Sequence, residues 1–277
     1  MKTTFTLYNQ VKIPNVGFGT WQITEGAYES VKYALKTGYR HIDTAEAYGN
    51  EKEVGKAVKD SRIARSDIFL TTKLPSHIKT YDETIKHFHE SLERLDMEYI
   101  DLYLIHAPWP WSDQGSDHTA GNIEAWKAMI HLYEKGLIRS IGVSNFGIKD
   151  IEALIRATNF IPHVNQIPLF ISVPQNELRA YCTSKNILVE AYSPLATGKL
   201  LKVDAIVKMA EKYQVTPAQL CIKFCLDLGT LPLPKSTHEE RIRNNFDLNF
   251  KISESDFNDL LGLKDVFKTH LNERITN

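Results

Sequence analysis

The sequence is short of several things, and each shortage removes a class of protein. It has three cysteines in 277 residues, Cys182, Cys221 and Cys225, an odd count that makes no disulfide framework in a chain this size and points to a reducing compartment. No apolar run exceeds four residues, at 102–105, whereas a membrane span needs about 20. Charge of one sign is missing too. The 33 Lys and Arg stand against 34 Asp and Glu, a net of -1, so no bulk field recruits nucleic acid or an anionic bilayer. The first residues carry one Lys, no apolar stretch of signal-peptide length and no small-residue cleavage site, which predicts a cytoplasmic protein. Glycine-rich phosphate loops are lacking as well. Gly17-Phe18-Gly19-Thr20-Trp21-Gln22 puts Gln where a dinucleotide fingerprint has its third glycine, and Gly198-Lys199-Leu200 lacks the hydroxyl residue and upstream glycine of a P-loop. A Rossmann site and nucleotide hydrolysis are thereby excluded.

What remains is an ordinary globular composition, 43% apolar and 24% charged. No Pro, Gly or Ser linker and no low-complexity tract interrupts it, so a single domain over residues 1–277 is expected. Short runs rich in β-branched and aromatic residues alternate with segments of helical period. The runs are 16–20, 39–44, 68–73, 99–106, 138–144, 163–167, 187–192 and 230–234. In 80–96, for example, Ile85, Phe88, Leu92 and Leu95 make one apolar stripe. Eight strands, each followed by a helix, in about 250 residues predict an α/β fold of the (β/α)8 TIM-barrel kind. Residues 5–7 and 11–13 flank Tyr8-Asn9-Gln10 as a β-hairpin that would close the barrel floor.

In such a barrel the chemistry sits at the C-terminal ends of the strands. Asp43 ends the second strand, Tyr48 follows it, Lys73 ends the third and His106 the fourth. Taken singly they are weak, and plainer explanations exist for Asp43 as a loop cap, Tyr48 as a rim aromatic and Lys73 as a solvated cation. Together they can make a proton donor. A Lys73 ammonium near the Tyr48 hydroxyl is expected to lower its pKa from about 10. Asp43 would hold the charge on Lys73, and His106 would donate a hydrogen bond to a carbonyl oxygen.

The stretches Gly-Tyr-Arg-His-Ile-Asp-Thr-Ala (38–45), Tyr-Gly-Asn-Glu (48–51), Thr-Thr-Lys-Leu (71–74), Asp-Leu-Tyr-Leu-Ile-His (101–106) and Gly-Val-Ser-Asn-Phe (142–146) resemble signatures of the aldo-keto reductases. Val-Asn-Gln-Ile (164–167), Glu-Ala-Tyr-Ser-Pro-Leu (190–195) and Leu-Pro-Lys-Ser (233–236) follow in family order. The resemblance spans nearly the whole chain. It implies reduction of aldehydes or ketones with NADPH, and the catalytic tetrad Asp43, Tyr48, Lys73 and His106, with Tyr48 as proton donor.

For the cofactor it implies Thr20, with Ser144, Asn145 and Gln166 at the nicotinamide amide. Tyr192 would stack on the ring, and Ser193, Pro194 and Leu195 would run along the pyrophosphate. Core packing competes as the role of Tyr192. Lys235, Ser236, Thr237 and Arg241 surround a helix start, an anion site that the resemblance assigns to the adenosine 2′-phosphate, and Asn245 would face the adenine. Thr237 to Glu240 also has capping-box spacing, a structural alternative for that hydroxyl. Position 244 is Asn where the family often has an acid. Glu239 and Glu240 should face solvent.

Two departures bear on the substrate. After Gln166 the chain reads Ile167-Pro168-Leu169-Phe170 rather than Glu-x-His-Pro, which predicts a different loop course, and Ala107 stands where relatives have a bulky residue. Trp21, Trp109 and Trp111 are candidates for an apolar pocket, with plain packing as the alternative. The chain ends soon after helix 254–263, without the long C-terminal segment of many animal relatives, so a permissive pocket is expected. A small carbonyl substrate, a monomeric state and no resident metal complete the reading. Cys221 and Cys225 read as core, and His87 and His89 as surface residues. Two rivals remain: a metal-dependent hydrolase using His41, Asp43 and His106, which Lys73 opposes, and a cofactor-binding sensor or channel-associated subunit with little turnover.

Overall fold

The computed structural model describes residues 3–264. Met1, Lys2 and the tail beyond Lys264, which enter the readings of targeting and of the short C-terminus, lie outside the described residues. Strands β1 (Thr4–Thr6) and β2 (Lys12–Pro14) pair as an antiparallel hairpin. Strands β3 (Phe18–Gly19), β4 (His41–Asp43), β5 (Phe69–Leu74), β6 (Ile100–Ile105), β7 (Ile138–Ser144), β8 (Val164–Pro168), β9 (Leu188–Tyr192) and β10 (Leu231–Leu233) form one parallel sheet in chain order. Its two outer strands meet. Gly17 N–H donates to Pro232 O and Gly19 N–H to Pro234 O, both at 3.0 Å, which curls the sheet into a barrel. A Cβ on Gly17 would lie 2.5 Å from Leu233 Cδ2 and 2.7 Å from His41 Nδ1, so that approach requires glycine.

Strand periodicity explains where the core and the site fall. The outward set, including Ile42, Leu70, Tyr103, Ile105, Ile141, Val143 and Val189, packs under the helices. In helix Tyr81–Leu95, Phe88 and Leu95 are fully buried, with Ile85 and Leu92 packed against the same core. The inward set changes character along the strands. Phe69, Leu102, Leu104 and Val164 form a separate apolar cluster with Leu7 and Ile13 of the N-terminal hairpin segment, so the hairpin plugs the floor. Farther along, the same parity carries Thr71, Lys73, His106, Gln166 and Glu190, and the polar site is built on that upper layer.

The long loop read as 108–121 ends sooner, because helix Thr119–Glu134 takes in Gly121. Cys182, Cys221 and Cys225 are buried, and burial pushes the thiols of Cys182 and Cys221 up to about 11 and about 12. They are packing residues. His89 is exposed, but His87 departs from the surface reading. It is half-buried, with Nδ1 2.9 Å from Glu46 Oε1, in a cluster that Arg94 also enters.

Candidate active site

Adjacent parallel strands end side by side, and their register brings distant residues together. Asp43 pairs with Thr71, and Lys73 with Leu104. Lys73 is fully buried, and its Nζ donates to Asp43 Oδ1 at 2.6 Å, Thr44 O at 2.8 Å and the Tyr48 hydroxyl at 3.3 Å. Tyr48 is delivered by a single 3-10 turn, Glu46–Tyr48, which Gly49 closes in the left-handed conformation at φ 71°. The His106 ring stands edge-on to Tyr48, with centroids 5.6 Å apart.

Burial would strip the Lys73 proton, but Asp43, then Tyr48, outweigh it and hold the ammonium above its ordinary pKa. Tyr48 corrects the sequence expectation. Lys73 does pull its pKa down, but burial acts more strongly and Asp43 adds to it, so the hydroxyl titrates above the ordinary phenol value. Lys73 reduces the cost of the phenolate without making Tyr48 acidic in the resting site. Burial, then Lys73, lowers His106 to about 3, so its imidazole is neutral. Nδ1 of that ring is buried without a hydrogen-bond partner among the described residues. The tautomer that serves a carbonyl oxygen carries its one proton on Nε2.

The residues expected at the nicotinamide adjoin this group. Asn145, at φ 63°, donates through Nδ2 to His106 O at 3.0 Å and to Ser144 Oγ at 3.1 Å, and its Oδ1 accepts from the Tyr192 hydroxyl at 2.8 Å. Gln166 spends Nε2 on Asp43 Oδ2 at 2.8 Å and Glu190 Oε2 at 2.7 Å, leaving Oε1 as its acceptor. Thr20 is fully buried and donates to Asp43 O at 3.0 Å. Past Tyr192, Ser193 turns left-handed at φ 52°, Pro194 is buried, and Leu195 packs partly against the core.

At the anion site, helix Glu239–Phe246 starts after His238 with no side-chain cap, so the Thr237 capping box is not formed. Ser236 Oγ instead accepts from His238 N at 3.1 Å. Lys235, Thr237 and Arg241 are exposed, as are Glu239 and Glu240, while Asn245 is buried. Among the described residues Lys235 and Arg241 form no ion pair.

The tryptophans differ. Trp109 is 8% exposed, with its ring centroid 5.2 Å from that of Trp111, which is 46% exposed and 5.8 Å from the His106 ring. Trp21, also 46% exposed, lies in the loop after β3. The loop after Gln166 buries Leu169, Phe170 and Ile171 completely.

Sequence reasoning missed three supports. Asn50 ties Thr44 Oγ1 to Thr20 O and Ile23 O, holding the strand ends that carry Asp43. Lys79 donates to Ala107 O at 3.0 Å and Asn122 Oδ1 at 2.6 Å, and Asn122 Nδ2 to Pro108 O at 2.8 Å, clamping the segment that leads from His106 to the tryptophans. Lys79 and Asn122 had no local signal, and Asn50 sat in the Tyr-Gly-Asn-Glu stretch without a role being read for it. Glu190 had one: an acid of inward parity, two residues before Tyr192. A hydrolytic metal site would need His41 and Asp43 as open ligands. His41 is fully buried with Nε2 2.9 Å from Thr71 Oγ1, and Asp43 is engaged by Lys73 and Gln166.

A family model described as Aldo/keto reductase family matches residues 15–265. The chain is 41% identical to a glyoxal reductase of Bacillus subtilis over 259 residues, 92% of this chain and 91% of that protein. It is 40% identical to an aldehyde reductase of Saccharomyces cerevisiae, covering 96% and 92% of the two. The crystal structure of an aldo/keto reductase from Brucella melitensis superposes with a TM-score of 0.87 at 43% identity, covering 93% of this chain and 98% of that one.

Proposed function

Because the chain belongs to the aldo/keto reductase family, we propose that it reduces aldehydes or ketones to alcohols with NADPH, Tyr48 supplying the proton. The observation that carries the reading is Lys73 bonded at once to Asp43 and Tyr48, with the His106 ring beside the phenol. The carbonyl oxygen accepts hydrogen bonds from the Tyr48 hydroxyl and from His106. As negative charge grows on that oxygen, the Tyr48 proton moves to it. The phenolate left behind is stabilised by Lys73, whose own charge Asp43 holds.

The residues present fit a nicotinamide dinucleotide. Gln166 offers Oε1, with Ser144 and Asn145 beside it, to the carboxamide; Tyr192 offers its ring, Ser193, Pro194 and Leu195 a path for the pyrophosphate, and Thr20 underlies them by fixing Asp43. Bound there, the cofactor supplies the hydride. Lys235 and Arg241 are cations without ion-pair partners among the described residues; with Ser236 and Thr237 they would hold a 2′-phosphate, with Asn245 toward the adenine, and this favours NADPH over NADH.

Trp21, Trp109 and Trp111 would line the substrate side. The names of the Bacillus and yeast relatives support a small carbonyl substrate. The reading extends to one domain over residues 1–277 acting as a cytoplasmic monomer. The one-domain part is supported by a single barrel built from strands along the whole described chain.

The test is a panel of aliphatic and aromatic aldehydes with purified protein, followed by the loss of NADPH absorbance. Turnover that persists with a chelator is expected. A panel in which no aldehyde or ketone consumes NADPH would overturn the reading.

A further inference from the structure

Beneath the tetrad the barrel encloses a second acid. Glu190 of β9 is fully buried, and its Oε2 accepts from Gln166 Nε2 at 2.7 Å. The same nitrogen donates to Asp43 Oδ2 at 2.8 Å. Two carboxyl groups therefore share one amide nitrogen. The other oxygen of Glu190, Oε1, is buried with no hydrogen-bond partner among the described residues, and the imidazole nitrogen His41 Nε2 is 4.0 Å away and bonded to Thr71 Oγ1. The ionisable groups facing Glu190 are His41 and Asp43 from β4 and Lys73 from β5, and Lys73 is committed to Asp43.

We propose that Glu190 is a positioning residue for the reductase reaction, carried as the neutral acid so that it fixes the Gln166 amide and leaves Lys73–Asp43 as the ion pair beneath Tyr48. The proposal rests on the reductase reading above. An unpartnered buried oxygen is far less costly on a neutral carboxyl than on a carboxylate, which would need a donor or cation that this side of the barrel does not provide. Burial, then the Asp43 charge, pushes Glu190 up to about 8 against the pull of Gln166 and Lys73. His41 does not take the proton instead, because burial, then Lys73, pushes its imidazole down to about 3.

With one amide hydrogen on each acid, Gln166 cannot rotate without losing two bonds, and its Oε1 is held for the cofactor carboxamide. The sign of the pH dependence follows. The neutral form is present below about 8 and is lost as pH rises through that value. Ionised, Glu190 draws the Gln166 amide toward itself, repels Asp43 and makes Tyr48 a weaker acid, so carbonyl reduction declines through this ionisation.

Infrared difference spectra of wild type against Glu190→Gln should show, at neutral pH, a protonated-carboxyl C=O band belonging to wild type. In wild type alone that band should disappear as pH is raised through about 8. Carboxylate bands in its place at neutral pH would overturn the proposal. Kinetically, Glu190→Leu strands a buried amide hydrogen and should lower kcat roughly tenfold. Glu190→Gln, which keeps a carbonyl acceptor, should recover most of that loss and lack the wild-type decline near pH 8. An unaltered decline in Glu190→Gln contradicts the proposal. The infrared measurement needs no turnover, so failure of the reductase reading and failure of this one are separately visible.

Discussion

The Lys73 ammonium lies 3.3 Å from the Tyr48 hydroxyl and 5.0 Å from the centroid of its ring, touching the phenol at the oxygen while flanking its π-face. Both contacts favour the phenolate that proton transfer creates. Lys73→Met should therefore lower carbonyl reduction by about 100-fold or more and move the alkaline limb of alcohol oxidation to higher pH. Because it also strips Asp43 of its partner, thermal unfolding must be followed alongside. A folded Lys73→Met protein with an unchanged pH–rate profile would break the coupling.

The two reaction directions should respond oppositely to alkali. Reduction needs the proton on Tyr48, whose pKa burial and Asp43 raise despite Lys73, so the donor is loaded at neutral pH and lost as pH rises. Oxidation of the alcohol needs the phenolate and should accelerate over the same range. His106, pushed down to about 3 by burial and then Lys73, adds no step near neutrality. Rate profiles measured in both directions with one aldehyde–alcohol pair check this; parallel slopes above neutrality would contradict it.

Arg241→Ala tests the phosphate site. Hydrogen bonds to a charged group contribute about 1.5 to 3 kcal/mol, so losing this contact should weaken NADPH roughly 10- to 100-fold and leave NADH almost unchanged. The wild-type preference should also fall as salt rises. Fluorescence titration with both cofactors reads the result. Equal losses for NADPH and NADH would assign Arg241 to the fold.

Trp111 is exposed beside His106, with buried Trp109 edge-on behind it. Trp111→Ala should raise KM for aromatic aldehydes roughly 2- to 10-fold and leave KM for small ones nearly as it was. Lys79→Met, which releases the clamp on Ala107 and Asn122, should blunt the same discrimination. A uniform rise across substrate sizes would remove the tryptophans from the pocket.

The barrel was readable because short runs rich in β-branched and aromatic residues alternate with segments of helical period, as in the apolar stripe of 80–96. Each observed parallel strand falls within a residue of the expected run or inside it, and Asp43, Lys73 and His106 follow from strand ends alone. Net effects of burial were not readable. The Lys73–Tyr48 contact was foreseen, but the net shift of the half-buried Tyr48 depends on what closes over its hydroxyl from other strands, Asp43 included, which no local pattern gives. Thr237 had capping-box spacing, yet Ser236 took the competing bond to His238 and the helix began one residue later. Lys79 and Asn122 act through contacts between segments far apart in sequence, so no local pattern announces them, and Asn50, though inside the Tyr-Gly-Asn-Glu stretch, shows its role only through its bonds to Thr20 and Ile23.

The central claim is that the Tyr48 hydroxyl gives the proton, and one substitution isolates it. Tyr48→Phe keeps the ring against His106 and removes only the oxygen bonded to Lys73. Measured side by side, NADPH affinity by fluorescence titration should stay close to wild type, while aldehyde reduction falls by about 100- to 10,000-fold. Wild-type reduction rates in Tyr48→Phe, with the cofactor bound as tightly as before, would contradict the account and return the proton to another group.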